Sequence, residues 1–300
     1  MSLPAALAVD LEGRSLLRTR DLVASELEAV LDLTDELKAA PRGAHRPLEG
    51  RTLGLLFRKH STRTRVSLAV AMAHLGGTAI DLPGDQLQLA RGESLADTAR
   101  VLSGYLDAIA IRTFEHDEVE RFAELATIPV LNALTDYAHP LQALADVQTI
   151  RERLGRIEGV TVAWIGDGNN VCVSLAEACE LLGATFVCAS PEGYEPPELA
   201  VVRDPREAVA GVEVVVTDVW ASMGLEAERE ARLRAFAGYG VDADLLALAH
   251  REAIVLHCLP AHPSEEIAAD VLYGPRSAAW DAAENRLHTA KALLALTLVG

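Results

Sequence analysis

Apolar positions along the chain switch repeatedly between short continuous runs and helical spacing, which predicts strands and helices in alternation. Leu27, Val30, Leu31, Thr34 and Leu37 share one helix face, with a capping box at Ser25 and Glu28 ahead of them and a break at Pro41-Arg42-Gly43 behind. Residues 52–57 then read as a buried strand, 61–74 as a helix ended by Gly76-Gly77, and 78–82 as the next strand. The pattern continues with helix 94–105, strand 108–111, helix 116–126 and strand 129–132. A longer helix over 140–154, closed by Gly155 and Gly159, precedes a second series: strand 160–165, helix 174–182, and strands 185–189, 212–217 and 253–257. Residues 284–298 have helical spacing again.

Alternating strands and helices predict parallel sheets covered by helices on both faces. The fold class expected is α/β, with two doubly wound parallel-sheet domains joined by interdomain helices. Their boundaries fall at 1–139 and 140–283, with the last helix, 284–300, packing back on the first domain. Ligands of such sheets sit beyond the carboxyl ends of the strands, so the chemistry should follow directly after each strand.

Charge narrows the functional classes. The 300 residues carry 27 Lys and Arg against 44 Asp and Glu, a net charge of −17, which disfavours a nucleic-acid or anionic-membrane binder. No apolar run approaches the about 20 residues needed to span a bilayer. Residues 1–14 lack the basic-then-apolar pattern of a signal peptide. Cys172, Cys179, Cys188 and Cys258 form no C-x-x-C pair and read as reduced thiols of a cytoplasmic protein.

Five segments carry candidate chemistry. Arg58-Lys59-His60-Ser61-Thr62-Arg63-Thr64-Arg65 leaves a strand and opens a helix, gathering four Arg/Lys side chains, three hydroxyls and free helix amides. That combination suits a phosphate, because the helix dipole favours an anion and arginine supplies forked donors. The bland alternative is a solvated basic turn capped by Ser61. Gly166-Asp167-Gly168-Asn169-Asn170 resembles the start of a dinucleotide fingerprint, but Val171 stands at the third glycine position and Ala189-Ser190 offers no ribose-binding acid. A nicotinamide cofactor is therefore disfavoured, leaving a plain turn or a polar ligand site.

Asp218, at the end of a strand, suits an ammonium group or a helix cap, and Ser222-Met223-Gly224 follows it. His257-Cys258-Leu259-Pro260 invites a nucleophile hypothesis, but neighbours on a strand point to opposite faces, so His257 is poorly placed as a base for Cys258. His139 and Gln142, one helical turn apart, could present two polar groups to one ligand.

Taken together and in this order, the segments resemble the aspartate/ornithine carbamoyltransferase family over about Leu16 to Leu298, and within it the ornithine-type branch. Ser61-Thr62-Arg63-Thr64-Arg65 marks the whole family. Asp218-x-x-x-Ser222-Met223-Gly224 and His257-Cys258-Leu259-Pro260 mark the branch, and Asp85-Gln86-Leu87-Gln88 stands where the aspartate branch carries a lysine-bearing loop. The resemblance implies that Ser61, Thr62, Arg63 and Thr64 bind the phosphate of carbamoyl phosphate. It assigns Gln88, Arg112, His139, Gln142, Cys258, Leu259 and Arg286 to the rest of that ligand, and Asn170, Asp218, Ser222 and Met223 to ornithine. Residues 1–139 would then bind carbamoyl phosphate and 140–283 ornithine.

The implied catalytic groups are Arg63, Arg112, His139 and Cys258, acting without metal, cofactor or covalent intermediate. The implied partners are the two small substrates and further copies of the chain, as a homotrimer. Putrescine or an N-acylated ornithine as the amine, and a catalytically silent relative, are the competing readings. The chain departs from many relatives at Ser67-Leu68-Ala69, where an aromatic and a glutamate are usual, and at Ala261-His262-Pro263-Ser264, which lacks an arginine.

Overall fold

The computed structural model describes residues 9–84, 92–221 and 228–299, and the chain divides into two compact units. Unit 1 comprises Met1–Ala145 and Asn285–Gly300, and unit 2 comprises Asp146–Glu284.

Unit 1 runs α1 (Ala24–Ala39), β1 (Thr52–Phe57), α2 (Arg63–His74), β2 (Thr78–Pro83), α3 (Leu95–Ser103), β3 (Ala108–Arg112), α4 (His116–Leu125), β4 (Val130–Leu134) and the first part of α5 (Pro140–Leu154). The four strands are parallel in the order β2-β1-β3-β4. The central strands β1 and β3 are apolar almost throughout because both faces are covered, whereas β2 at the edge is partly exposed. Leu56, Ile109, Ile111, Val119, Phe122 and Val130 pack into one core. Burying a side chain such as Phe122 contributes about 1.5–3 kcal/mol.

Unit 2 begins within α5 and continues through β5 (Thr161–Ile165), α6 (Asn170–Leu181), β6 (Thr185–Ala189), β7 (Val201–Val202), α7 (Pro205–Val209), β8 (Val214–Thr217), α8 (Arg229–Ala235), α9 (Ala243–Leu246), β9 (Ile254–His257), α10 (Ala269–Leu272) and the first residues of α11 (Ala279–Val299). Its five parallel strands lie in the order β7-β6-β5-β8-β9. Trp220 stacks on Phe236 in a core that also holds Ile165, Val215 and Val255.

Both sheets are doubly wound. Chain order reverses between β1 and β3 in unit 1 and between β5 and β8 in unit 2, which puts a crevice beyond the carboxyl ends of those strand pairs. The basic segment, the Gly/Asn turn and Asp218 follow three of these strands, and Arg112 is the last residue of the fourth, β3. In α11, residues from Asn285 onward return to unit 1. There Lys38 donates to Asn285 Oδ1 at 2.8 Å, and Lys291 donates to the Leu37 carbonyl at 2.6 Å.

Three helix starts differ from the pattern reading. α1 begins at Ala24, where Glu26 accepts the Val23 amide at 3.0 Å, so the box uses Glu26 rather than Ser25 and Glu28. α6 begins four residues early because Asn169 caps it, and α11 begins at Ala279. The two-residue β7 and the short helices α7 to α10 are too brief to show a period. Among the described residues, no helix is long and apolar enough to cross a membrane.

Candidate active site

In unit 1, β1 delivers the chain to the N-terminus of α2, with Thr62 as its cap residue and Arg63 as its first residue. The first-turn amides of a helix have no partner inside it and face an incoming anion. Ser61 is half-buried, Thr62 and Arg63 are exposed, and Thr64 turns inward to 2 % exposure. Thr64 Oγ1 accepts from Arg286 Nη2 at 2.7 Å, and Arg286 Nη1 donates to Gln142 Oε1 in a short contact. Arg286 and Gln142 are themselves buried. Arg112 ends β3, its carbonyl accepting the Arg58 amide at 2.8 Å, and its side chain is buried.

His139, itself buried, feels the charges of this group. Burial holds its imidazole well below the ordinary histidine value, and the positive charges of Arg286, Arg112 and Arg63 push in the same direction. A neutral imidazole under the charge of three cations is a field suited to an anion, and a dianion gains most from it.

The remaining basic residues of the segment do not join this field. Arg58 pairs with Glu118 at 3.0 Å, Lys59 with Asp136, and Arg65 with Asp81. Of the four Arg/Lys side chains in the segment, three pair with carboxylates, and the charge of Arg63 acts on His139.

In unit 2, Asp218 follows β8 and is 5 % exposed. Its Oδ1 accepts the Val219 amide at 2.8 Å and the Cys258 thiol at 2.8 Å, while Oδ2 accepts from Asn169 Nδ2 at 2.8 Å. Asp218 is thus not a helix cap but a buried carboxylate aimed by three donors. Asn170, which follows Asn169 in sequence and is the first residue of α6, is half-buried. Gln88, Ser222 and Met223 lie outside the described residues.

After β9 the His257 ring and the Cys258 sulfur do not diverge to opposite faces, since their polar atoms lie within 4.8 Å of each other; the histidine is instead engaged by other partners. His257 Nδ1 accepts the Leu259 amide at 2.9 Å, so Nε2 carries the proton and faces Glu266 Oε1 at 3.2 Å. Both ring nitrogens thus have partners. Leu259 takes a left-handed φ of 57°, and Cys258 is half-buried. Cys172 and Cys188 lie with sulfurs 3.9 Å apart in the core, and burial pushes the Cys172 and Cys179 thiols up, the latter to about 12. They are packing residues.

The glycines between β5 and α6 have local structural causes. Gly166 has φ 126°, and a Cβ at Gly168 would sit 2.0 Å from the Pro196 nitrogen. Side chains near enough to share a metal, among the described residues, are Asp218, His257 and Cys258, and His262, Glu265 and Glu266. Several of these atoms already have partners: Asp218 and His257 as above, Glu265 with Arg229, and Glu266 Oε1 with His257 and the His262 amide. Asn169 and Glu266 were missed by the motif reading. An Asn directly before a helix is a cap signal that could have found the first, whereas Glu266 meets His257 only through the turn after β9.

Residues 14–152 match the family model described as the carbamoyl-P binding domain of aspartate/ornithine carbamoyltransferase, and residues 158–297 match its Asp/Orn binding domain. An anabolic ornithine carbamoyltransferase of Pyrococcus furiosus is 49% identical, with 98% of this chain and 99% of that one covered. The ornithine carbamoyltransferase of Acidothermus cellulolyticus is 53% identical, covering 95% and 96%. The solved Pyrococcus furiosus enzyme superposes with a TM-score of 0.93 over 98% of this chain and 99% of that one. The enzyme from Thermus thermophilus, 45% identical, gives 0.88 over 95% and 99%. With both family domains matched in order over nearly its whole length, the chain belongs to the aspartate/ornithine carbamoyltransferase family.

Proposed function

We propose that the chain moves the carbamoyl group of carbamoyl phosphate to the δ-amine of L-ornithine, giving L-citrulline and phosphate. The observation that carries this is the buried group in unit 1: neutral His139 under the charges of Arg286, Arg112 and Arg63, with Thr64 and Gln142 bound to one guanidinium. It offers a dianion charge, and a carbonyl oxygen hydrogen-bonding groups. Relatives about 50% identical over nearly the full chain and named for this reaction support it.

Ser61, Thr62, Arg63, Thr64, Gln88, Arg112, His139, Gln142, Cys258, Leu259 and Arg286 are assigned to carbamoyl phosphate. Asn170, Asp218, Ser222 and Met223 are assigned to ornithine, whose α-ammonium pairs with the Asp218 carboxylate. The lone pair of the free δ-amine attacks the carbamoyl carbon. The new C–N bond forms as the C–O bond to phosphate breaks, and the nitrogen's spare proton leaves to phosphate or solvent. Arg63, Arg112 and the α2 amides take the growing charge on the leaving phosphate, while Arg112, His139 and Thr64 polarise the carbonyl. Removing one such contact costs about 3 kcal/mol of transition-state stabilisation.

Residues 1–139 with 284–300 form the carbamoyl-phosphate domain in this reading, and 140–283 the ornithine domain. The anabolic name of the Pyrococcus furiosus relative supports a place in arginine biosynthesis. The family resemblance supports a cytoplasmic homotrimer. The deciding experiment supplies carbamoyl phosphate with ornithine, N-acetylornithine, putrescine or aspartate and measures ureido product. Preference for ornithine is expected. Preference for another amine overturns the ornithine assignment, and no product from any of them, with carbamoyl phosphate bound, makes the chain a silent relative.

A further inference from the structure

Asn169 occupies a place that capping alone does not explain. Its Oδ1 accepts the Val171 amide at 3.0 Å and the Cys172 amide at 3.2 Å, the two bonds of an ordinary N-cap. Because that oxygen is committed to two helix amides, the amide group has one orientation. Its Nδ2 must face away from the helix, and there it donates to Asp218 Oδ2 at 2.8 Å. A flipped side chain would set NH2 against two N–H groups and oxygen against a carboxylate, losing every bond at once.

Asp218 is correspondingly fixed. The Val219 amide and the Cys258 thiol hold its Oδ1, so Asn169 is the described donor on Oδ2. The carboxylate's plane is thereby set by three groups from the starts of α6, the end of β8 and the end of β9. A buried carboxylate recognises an ammonium through its direction as well as its charge. Losing the Oδ2 donor removes one of the three bonds that resist its turning about the Cβ–Cγ bond, and the only one of the three on Oδ2.

We propose that Asn169 is a positioning residue: its cap-oriented amide aims Asp218 at the ammonium of the amine substrate. The proposal rests on the reading that Asp218 holds the α-ammonium of ornithine. Asn169 itself touches no reacting atom.

The test separates the cap from the donor. Asn169→Ser keeps a capping oxygen but has no N–H to offer Asp218, whereas Asn169→Ala loses both. Steady-state kinetics of citrulline formation are measured for each substrate in turn, beside thermal melts. Asn169→Ser should melt within a few degrees of wild type, raise the KM for ornithine at least tenfold and leave the KM for carbamoyl phosphate within twofold. An ornithine KM equal to that of wild type in a well-folded Asn169→Ser overturns the proposal and leaves Asn169 as a cap only.

Should the serine variant fold poorly, Asn169→Asp decides. Aspartate caps equally well but puts a second carboxylate against Asp218, so one proton must be shared between them. Its ornithine KM relative to wild type should then worsen as pH rises from 6 to 9, and a ratio that stays at one across that range overturns the proposal. If the wild-type enzyme itself makes no ureido product from ornithine, the functional reading fails first and this inference with it. If wild type turns over and the variants match it, this inference alone fails.

Discussion

Arg286 donates from Nη2 to Thr64 Oγ1 at 2.7 Å although 222 positions of sequence separate them. The last helix thus returns a guanidinium to the first turn of α2, and its other arm reaches Gln142 on α5. All three side chains are 4 % exposed or less. A buried cation of this kind is best compensated by an anion with several acceptor oxygens.

Arg286→Lys keeps the charge but has one nitrogen where the fork has two, so it cannot serve Thr64 and Gln142 together. The KM for carbamoyl phosphate should rise by about a hundredfold, near 3 kcal/mol, with the ornithine KM changed far less. Calorimetric titration with inorganic phosphate should weaken in parallel. Unchanged phosphate affinity would remove Arg286 from the ligand site.

His139 should be a neutral imidazole at pH 6 in the ligand-free protein, where an ordinary histidine is mostly charged. Its folded value lies below its unfolded one, so its contribution to stability is present above about pH 6.5 and is lost as pH falls towards the folded value. Nitrogen shifts of labelled His139 report this directly. Adding phosphate should raise the value, because a dianion offsets the three arginines. An imidazolium signal at pH 6 without ligand would contradict the electrostatics described.

The strands were the most readable part of the molecule. β1, β3, β8 and β9 are nearly unbroken apolar runs because parallel strands are covered on both faces. Their ends marked where chemistry should lie, and Arg112 and Asp218 stand there. Pairing between distant residues was not readable. Spacing alone counts Arg58, Lys59 and Arg65 with Arg63, and only the fold brings Glu118, Asp136 and Asp81 to neutralise three of the four. Likewise Asn169 and Asn170 look interchangeable in a Gly/Asn turn. Which of them meets Asp218 depends on the residue where α6 starts.

Cys258→Ser should retain measurable turnover. The thiol donates to Asp218 Oδ1, a serine hydroxyl can make the same bond, and His257 already has a partner at each ring nitrogen. Quenched-flow mass spectrometry should find no carbamoyl adduct on Cys258 during turnover. A trapped carbamoyl-thioester, or complete loss of activity in the serine variant, would restore the nucleophile.

Asp167 tests the balance between burial and pairing. It is 8 % exposed and lies 3.1 Å from Arg232, yet burial, aided by the nearby Asp218 charge, raises its carboxyl from 3.8 to about 6 against the pull of that arginine. The folded protein therefore holds this proton more tightly than the unfolded chain. The stability it contributes is full below about pH 3.8 and disappears as pH rises through 6, and a shift of about two units corresponds to about 3 kcal/mol. Asp167→Asn cannot titrate, so its unfolding free energy relative to wild type should improve by about that amount between pH 4 and pH 7.5. Urea unfolding at the two pH values measures the difference, with the common titrations of all other groups cancelling between the two proteins. A difference that does not change with pH would mean that the Arg232 pair outweighs burial and that Asp167 is already ionised in the acid range.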